Sequence, residues 1–375
     1  MRICLSAPNT LGYPDGGHIW VFINWALGLR SLGHDVVWLD VVNPDDSPEL
    51  VDSLVRTLCE RLKPFALDTH VVLCTADGAP YQHPLTRTLD EALACHAIIN
   101  LRYNLPSRVL RAFRRSALID IDPGQFQFSV QLGTYDPGEH DVYFTVGEWP
   151  TFIDVTPPQF TTLGKTWHTI PPPVALDEWP VTHAAPDAAM TTVSAWYMKD
   201  QWLEDDAGQW YDNSKRAAFM PYLDVAGAST LPMELCIQLN GYQPEIDLLQ
   251  SHHWRLKTGT DVSHPQAYRQ YIQQSIGEFS CAKPAYVKLH TGWLSDRTAC
   301  YLASGKPVVI QRTGESRFLP DQLGVLRFTS LDQAIENLRH VHDDYATHAI
   351  AARAIAEQHL DAKKVLKSVL EKLCV

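Results

Sequence analysis

Two α/β domains, each a doubly wound parallel sheet, are what three features of this 375-residue chain predict. Short apolar runs alternate with amphipathic stretches through both halves. A proline-rich break interrupts the alternation near the middle. The length suits two domains of ordinary size.

The first half opens with the apolar run Arg2 to Ser6, which reads as a buried strand. A loop rich in Gly, Pro, Asn and Asp follows, Pro8 to Gly17. His18 to Leu32 then places Trp20, Ile23 and Leu27 at near-helical spacing, Gly33 ends the helix, and Val36 to Val42 reads as the next strand. This β-loop-α-β opening is that of a parallel doubly wound sheet. Helices are expected at Leu50 to Leu62, Leu89 to Cys95 and Ser107 to Arg115. Strands are expected at Val71 to Cys74, Ala97 to Leu101, Ala117 to Ile121 and Val142 to Val146.

Pro171-Pro172-Pro173 and the Ala/Pro/Asp-rich stretch to Met190 read as a stiff linker. The expected division is therefore a domain at 1–172, a linker at 173–190 and a second domain at 191–375 that includes the terminal helices. In the second half, strands are expected at Thr191 to Ala195, Glu234 to Leu239, Trp254 to Lys257, Ala285 to Leu289 and Val308 to Gln311. Helices are expected at Glu245 to Ser251, Gln266 to Ser275, Asp296 to Ala303, Leu331 to His340 and Thr347 to Leu373. Leu203-Glu204-Asp205-Asp206 reads as a solvated loop. The result is two Rossmann-like domains facing across a cleft, with ligands at the carboxyl edges of the sheets.

Composition narrows the function. With 45% hydrophobic and 20% charged residues the chain is an ordinary globular protein, which excludes a disordered or fibrous one. A net charge of -12 disfavours nucleic acid as a partner, although Arg102, Arg108, Arg111, Arg114 and Arg115 cluster. Eight scattered cysteines without a Cys-x-x-Cys pair suit free thiols in a reducing compartment. No leader or membrane span is read, so the expectation is a soluble cytoplasmic protein.

The loop Gly12-Tyr13-Pro14-Asp15-Gly16-Gly17-His18 lacks the dinucleotide fingerprint, and no P-loop occurs. The chemistry-bearing segment is instead Tyr286-Val287-Lys288-Leu289-His290-Thr291-Gly292-Trp293-Leu294-Ser295-Asp296-Arg297, followed by Ala303-Ser304-Gly305-Lys306-Pro307-Val308-Val309. It reads as strand, glycine turn and a helix capped by Ser295. Such a helix start offers amides and a partial positive charge to a pyrophosphate, and Gly292 permits close approach. His290 or Arg297 adds a donor. Just upstream, Gly277-Glu278-Phe279-Ser280-Cys281-Ala282-Lys283 offers Lys283 to a phosphate and Glu278 to a sugar hydroxyl. Trp20, Trp25, Trp149, Trp196, Trp202, Trp210 and Trp254 are read as core or as stacking surfaces.

His290-Thr291-Gly292-Trp293-Leu294-Ser295 resembles the His-Cys-Gly-Trp-Asn-Ser core of the donor signature in nucleotide-sugar glycosyltransferases of GT-B fold. Ala303 to Val309 resembles the Ala-x-Gly-x-Pro-Val-Val of the same enzymes. Gly17-His18 and Gly33-His34-Asp35-Val36 resemble the "Gly-His … Gly-His-x-Val" opening of the inverting members. Gly16-Gly17-His18-Ile19-Trp20 also fits the Gly-Gly-x-x-Trp of a less characterised set of bacterial GT-B proteins, which the chain resembles more closely overall.

The resemblance implies a GT-B enzyme that uses an NDP-sugar as co-substrate, with no further cofactor and no metal. It implies that His18 is the general base, oriented by Asp120 or Asp122, and that the His290–Ser295 segment holds the diphosphate. Gly16 and Gly17 are counted with the donor-binding positions. The signature's ribose-binding Glu is missing. Thr298 stands there counting from Ser295, and Cys300 counting from the glycine, so Asp296 is the substitute candidate. Asp120-x-Asp122 also resembles a metal-binding pair of a different glycosyltransferase fold. The rival readings are a glucosyltransferase of hydroxymethylated DNA bases, a sugar-nucleotide epimerase or hydrolase, and a non-catalytic sensor.

Overall fold

The computed structural model describes residues 1–374 apart from 156, 157, 159, 198–201, 205–209, 320 and 322, and leaves out the side chain of Trp202. It separates into two compact units. The first comprises residues 1–150, 160–175 and 361–375, and the second residues 151–159 and 176–360.

The first unit carries β1 (Arg2–Ser6), α1 (Gly16–Ser31), β2 (Asp35–Val41), α2 (Pro48–Leu62), β3 (Val71–Cys74), β4 (Pro80–Tyr81) and α3 (Leu89–Leu93). It continues through β5 (Ala97–Asn100), α4 (Ser107–Leu110), β6 (Ser116–Asp120), α5 (Gln125–Gln131), β7 (Val142–Thr145) and β8 (Trp167–Thr169). Its sheet runs β4-β3-β2-β1-β5-β6-β7-β8, parallel except for β4. The strand order reverses between β1 and β5, so the ligand crevice of this sheet lies at their carboxyl ends.

Local chemistry explains the elements. Ser47 caps α2 by accepting from the Leu50 amide, Pro48 occupies the first turn, and Val51, Val55, Leu58 and Leu62 form the buried stripe. Helix α1 ends where Gly33 turns to φ 80° and its amide caps Arg30. Helix α4 is shorter than the expected Ser107 to Arg115, because the chain leaves the helix after Leu110. Arg108, Arg111, Arg114 and Arg115 are exposed, as a solvated face requires.

The second unit carries β9 (Met190–Ser194), β10 (Trp202–Glu204), β11 (Trp210–Asp212), α6 (Lys215–Phe219), α7 (Val225–Ala228), β12 (Met233–Ile237), α8 (Gln243–Ser251) and β13 (Arg255–Thr258). After these come α9 (Pro265–Gln274), β14 (Gly277–Ser280), α10 (Pro284–Lys288), α11 (Asp296–Ala303), β15 (Val308–Gln311), β16 (Val325–Phe328), α12 (Leu331–Asp343) and α13 (Tyr345–Ile355). The parallel sheet runs β13-β12-β9-β14-β15-β16 and reverses between β9 and β14. β10 and β11 form a separate antiparallel pair. Leu203 and Glu204 of the expected loop lie in β10, while Asp205 and Asp206 fall outside the described residues. The core stacks Phe279 on Phe328 at 5.2 Å and encloses Trp196, Phe219 and Trp254. Trp20, Trp25 and Trp149 are likewise buried, whereas Trp210 is exposed.

Two expectations need correction. The run Ala285 to Leu289 is not a strand but lies largely in α10, started by Pro284 at its first position. The strand beside β9 is Gly277–Ser280, fully buried although it contains a glutamate. The terminal helices also divide differently from the expected boundary. After α13 and a π-helical turn (Ala356–Leu360), helix α14 (Ala362–Leu373) belongs to the first unit, where it packs on α1. Ala362, Val365, Leu366, Val369, Leu370 and Leu373 form its buried stripe. The Pro-rich segment is anchored as well: Val174 bridges to Asp361 in the first unit, and Trp179 is fully buried in the second.

Helices α1 and α14 meet at Gly28, where an added Cβ would lie 2.5 Å from Leu366 Cδ1 and 2.7 Å from Ala362 Cβ. Gly28→Val is therefore expected to cost about 1–3 kcal/mol in urea unfolding, the usual penalty of overpacking. An unchanged midpoint would show that the two helices can separate freely.

Candidate functional site

In the second unit the chemistry gathers at the carboxyl end of β14, beside the point where the strand order reverses. Glu278 is completely buried, and its Oε1 accepts from Arg297 Nε at 2.7 Å. The same guanidinium donates to the Val193 carbonyl at 2.8 Å and to Ser280 Oγ at 2.6 Å. One side chain from α11 thus ties together the ends of β9 and β14. Sequence reading offered Arg297 to a phosphate and Glu278 to a sugar hydroxyl; the structure joins them to each other instead. Ser280 is buried as the third member of this bridge.

Lys215, which sequence reading did not single out, lies beside that bridge. Its Nζ donates to the Cys281 carbonyl, one residue beyond Ser280, and lies 5.9 Å from the centre of the Trp293 ring. The side chain is buried; burial, reinforced by the charges of Arg297 and Lys283, pushes its ammonium down to about 7. Asn213 holds the adjoining segment by accepting from the Ala285 amide at 2.8 Å. Lys283 is half-buried at the start of α10. Three basic side chains therefore gather where Glu278 is the acidic neighbour. The sequence signal was weak: Lys215 follows a hairpin region whose composition suggests only a surface loop.

The segment before α11 is shaped by glycine. Gly292 adopts φ 64°, and its amide donates to the Thr313 carbonyl at 2.9 Å. Thr313 Oγ1 in turn donates to the Trp293 carbonyl at 2.7 Å. Gly314 passes so close that a Cβ there would lie 2.8 Å from the Gly292 nitrogen. Trp293 stacks on Tyr286 at 4.2 Å, Thr291 is buried, and His290 is exposed at φ 48°. Ser295 caps α11 by accepting from the Arg297 amide at 3.3 Å, as expected. The Gly292 amide is already committed, so it is not a donor for a pyrophosphate. Thr298 and Cys300 are buried in α11, whereas Asp296 is half-buried in its first turn.

The first unit gathers a different set at the carboxyl ends of β1, β2, β5 and β6. Gly16, at φ 42°, and Gly17 begin α1 and carry His18 into its first turn. His18 Nε2 lies 3.0 Å from the Pro8 carbonyl. A carbonyl only accepts, so Nε2 carries the hydrogen and Nδ1 is the basic nitrogen. Burial lowers the His18 pKa against the opposing pull of the Pro8 carbonyl, Asp40, Asp122 and Asp15, which favours neutral imidazole.

Asp120 is fully buried and accepts from Gln127 Nε2 at 3.0 Å, Thr145 Oγ1 at 2.9 Å and the Asp122 amide at 3.0 Å. Burial pushes its carboxyl up to about 7, and the charge of Asp122 adds to the rise. Asp122 accepts from the Tyr103 hydroxyl at 3.2 Å. His18 is thus held by the Pro8 carbonyl, and Asp122 acts on it through its charge. Asp40, also missed in the sequence, is buried within an apolar strand. It binds Arg102 at 2.8 Å, Thr10 Oγ1 at 2.9 Å and the Leu11 amide at 2.7 Å. Among the described residues no group of three or more His, Cys, Asp or Glu side chains is placed to hold a metal ion, and no helix is long and apolar enough to cross a membrane.

Two doubly wound parallel units are the architecture expected of the chain. The chain shares it with solved glycosyltransferase structures. An α-glucosyltransferase in complex with UDP is 11% identical at a TM-score of 0.62, with 100% of both chains covered. HepE of Anabaena, in complex with UDP and glucose, is 14% identical at a TM-score of 0.58, covering 100% of this chain and 99% of that one. Sucrose-phosphate synthase from Thermosynechococcus elongatus is 10% identical at 0.58, covering 99% and 98%. At these identities the likeness is one of fold. No family model and no curated protein matches the chain.

Arg297→Ala would leave Glu278 charged, buried and unpaired, at an expected cost of about 3–5 kcal/mol in urea unfolding. Replacing the pair together, Glu278→Leu with Arg297→Met, should recover much of that loss. A cost of the single change below about 1 kcal/mol would mean that the pair behaves as an exposed one.

Proposed function

We propose that this protein is a glycosyltransferase that moves a sugar from an NDP-sugar to an acceptor hydroxyl. The observation that carries the reading is the convergence of Lys215, Lys283 and Arg297 on the carboxyl end of β14, with Glu278 as their acidic neighbour. Basic side chains brought together around one already paired acid fit an anionic ligand, and the position is where doubly wound sheets bind nucleotides. Lys215 and Lys283 would face the diphosphate while Arg297 holds their platform. The N-terminus of α11 supports the same charge. His290 and Asp296 remain candidates for the nucleoside end of the donor. The sugar nucleotide is the co-substrate, and no further cofactor is proposed.

Transfer then needs a base for the acceptor. His18 is proposed for it: the imidazole favours its neutral form, and Pro8 fixes the tautomer that leaves Nδ1 able to take a proton. The acceptor oxygen attacks the anomeric carbon as the bond from that carbon to the diphosphate oxygen breaks. The hydroxyl proton passes to His18, and the lysines stabilise the departing nucleoside diphosphate. A single displacement of this kind inverts the anomeric centre. The eight free cysteines support a reducing, cytoplasmic setting.

A second reading, DNA with hydroxymethylated bases as the acceptor, is favoured by one comparison. The α-glucosyltransferase in complex with UDP and DNA containing an HMU base is similar over 100% of both chains at a TM-score of 0.61, with 12% identity. The exposed arginines 108, 111, 114 and 115 would supply its contacts, and the net charge of -12 weighs against it. Salt-sensitive DNA binding separates the two.

Thermal unfolding with UDP-, GDP-, TDP- and ADP-glucose is expected to give one strong stabilisation, about 2.7 kcal/mol at a hundred times Kd. No response to any of the four overturns the reading. With the donor so named, His18→Ala should keep the thermal shift and lose about 10²–10⁴ in kcat. The wild-type rate should fall on acidification with an inflection below 6.5, because protonation disables the base. Near-normal turnover of the variant, or a product of retained configuration, would remove His18 from the chemistry.

A further inference from the structure

We infer that donor capture at this site is coupled to protonation: a sugar nucleotide draws one proton from the solvent onto the amine of Lys215 as its diphosphate binds. The inference rests on the donor reading above and specifies how that site handles charge.

The geometry leads to it directly. Lys215 opens α6 with its side chain buried, and its Nζ is held against the Cys281 carbonyl. The groups that act on it come from three directions. Arg297 reaches in from α11 and is anchored on Ser280 Oγ, one residue before that carbonyl. Lys283 stands at the start of α10, and Glu278 lies in β14 with its Oε1 bound to Arg297. Cys281 is pushed upward by burial and remains a thiol near neutrality. The Trp293 ring lies 5.9 Å away. Before a ligand arrives, a positive charge on this buried side chain is opposed first by lost hydration and then by Arg297 and Lys283, and Glu278, bound to Arg297, offsets only part of this.

The amine gives way in the manner of buried lysines, titrating at about 7. Its neutral form still has an N–H for the Cys281 carbonyl. A diphosphate brings two negative charges to the same place and reverses the balance, so the ammonium becomes the favoured form. In the balanced step the amine gains a proton that the buffer loses, and no covalent bond of the donor changes. A consequence is selectivity: a neutral sugar without the diphosphate gains nothing from Lys215.

Isothermal titration calorimetry of UDP-, GDP-, TDP- and ADP-glucose in buffers of different ionisation enthalpy counts the protons. These diphosphate diesters do not themselves titrate near neutrality, so the uptake reports the protein. The expected uptake is about half a proton at pH 7 and close to one at pH 8.5, with Kd weakening about tenfold per pH unit above 7. Lys215→Met should abolish the uptake and weaken binding, and Lys215→Arg should abolish the uptake while retaining the charge. His342→Gln, on the exposed side of α12, should leave it unchanged. Binding of any of the four without buffer dependence overturns the coupling and leaves the donor reading intact. Uptake that survives both Lys215 variants overturns the assignment to this residue. Absence of binding by all four overturns the donor reading and the coupling together.

Discussion

The ion pair between Glu278 and Arg297 is the constraint on which the second unit's ligand edge depends. A carboxylate in the centre of a buried parallel strand is tolerated only with a partner of good geometry, and the guanidinium supplies it from the first turn of α11. Once placed, Arg297 also satisfies Val193 and Ser280, so β9, β14 and α11 are registered by one planar group. Lys215 and Lys283 then meet an edge whose one acid is already paired. The glycines at 292 and 314 let the neighbouring loops close over the same edge without side-chain clashes.

The two ligand edges are chemically opposite. That of the second unit assembles lysine and arginine around one acid. That of the first gathers Asp120, Asp122, His18 and Tyr103 with Asp40, which is paired with Arg102. An edge of the first kind suits a diphosphate. The second kind, rich in acceptors and with a buried carboxyl that titrates near neutrality, suits a polyhydroxylated or uncharged molecule better than a phosphorylated one. The difference is set by single residues on a repeated plan: Asp40 and Asp120 stand in β2 and β6, Glu278 in β14, and Lys215 and Arg297 in α6 and α11.

Much of the plan was legible because periodicity reports burial. β1, α1 and β2 could be read from apolar spacing and Gly33, and Ser295 was recognisable as a cap from its place before α11. β14 was hidden because Glu278 breaks an apolar run, and only the fold discloses the arginine that neutralises it. Residues 285–289 misled for the converse reason: an apolar run of that length fits a strand or a helical turn, and Pro284 decided the matter. The His18 imidazole was legible as a base, but its orienting group is a main-chain carbonyl, which no side-chain pattern can announce. Lys215 gave no signal, since its chemistry arises from neighbours far away in the chain.

Helix α14 has a bearing on how the protein is made. Because residues 361–375 pack in the first unit, the second unit is inserted within it and the chain crosses between them more than once. On the ribosome, residues 1–150 emerge early but lack the helix that covers Gly28 on α1. The inserted unit is complete at residue 360, before the first unit receives its last helix. The leading unit is therefore finished last, and the part of α1 that α14 covers stays open until the returning helix arrives.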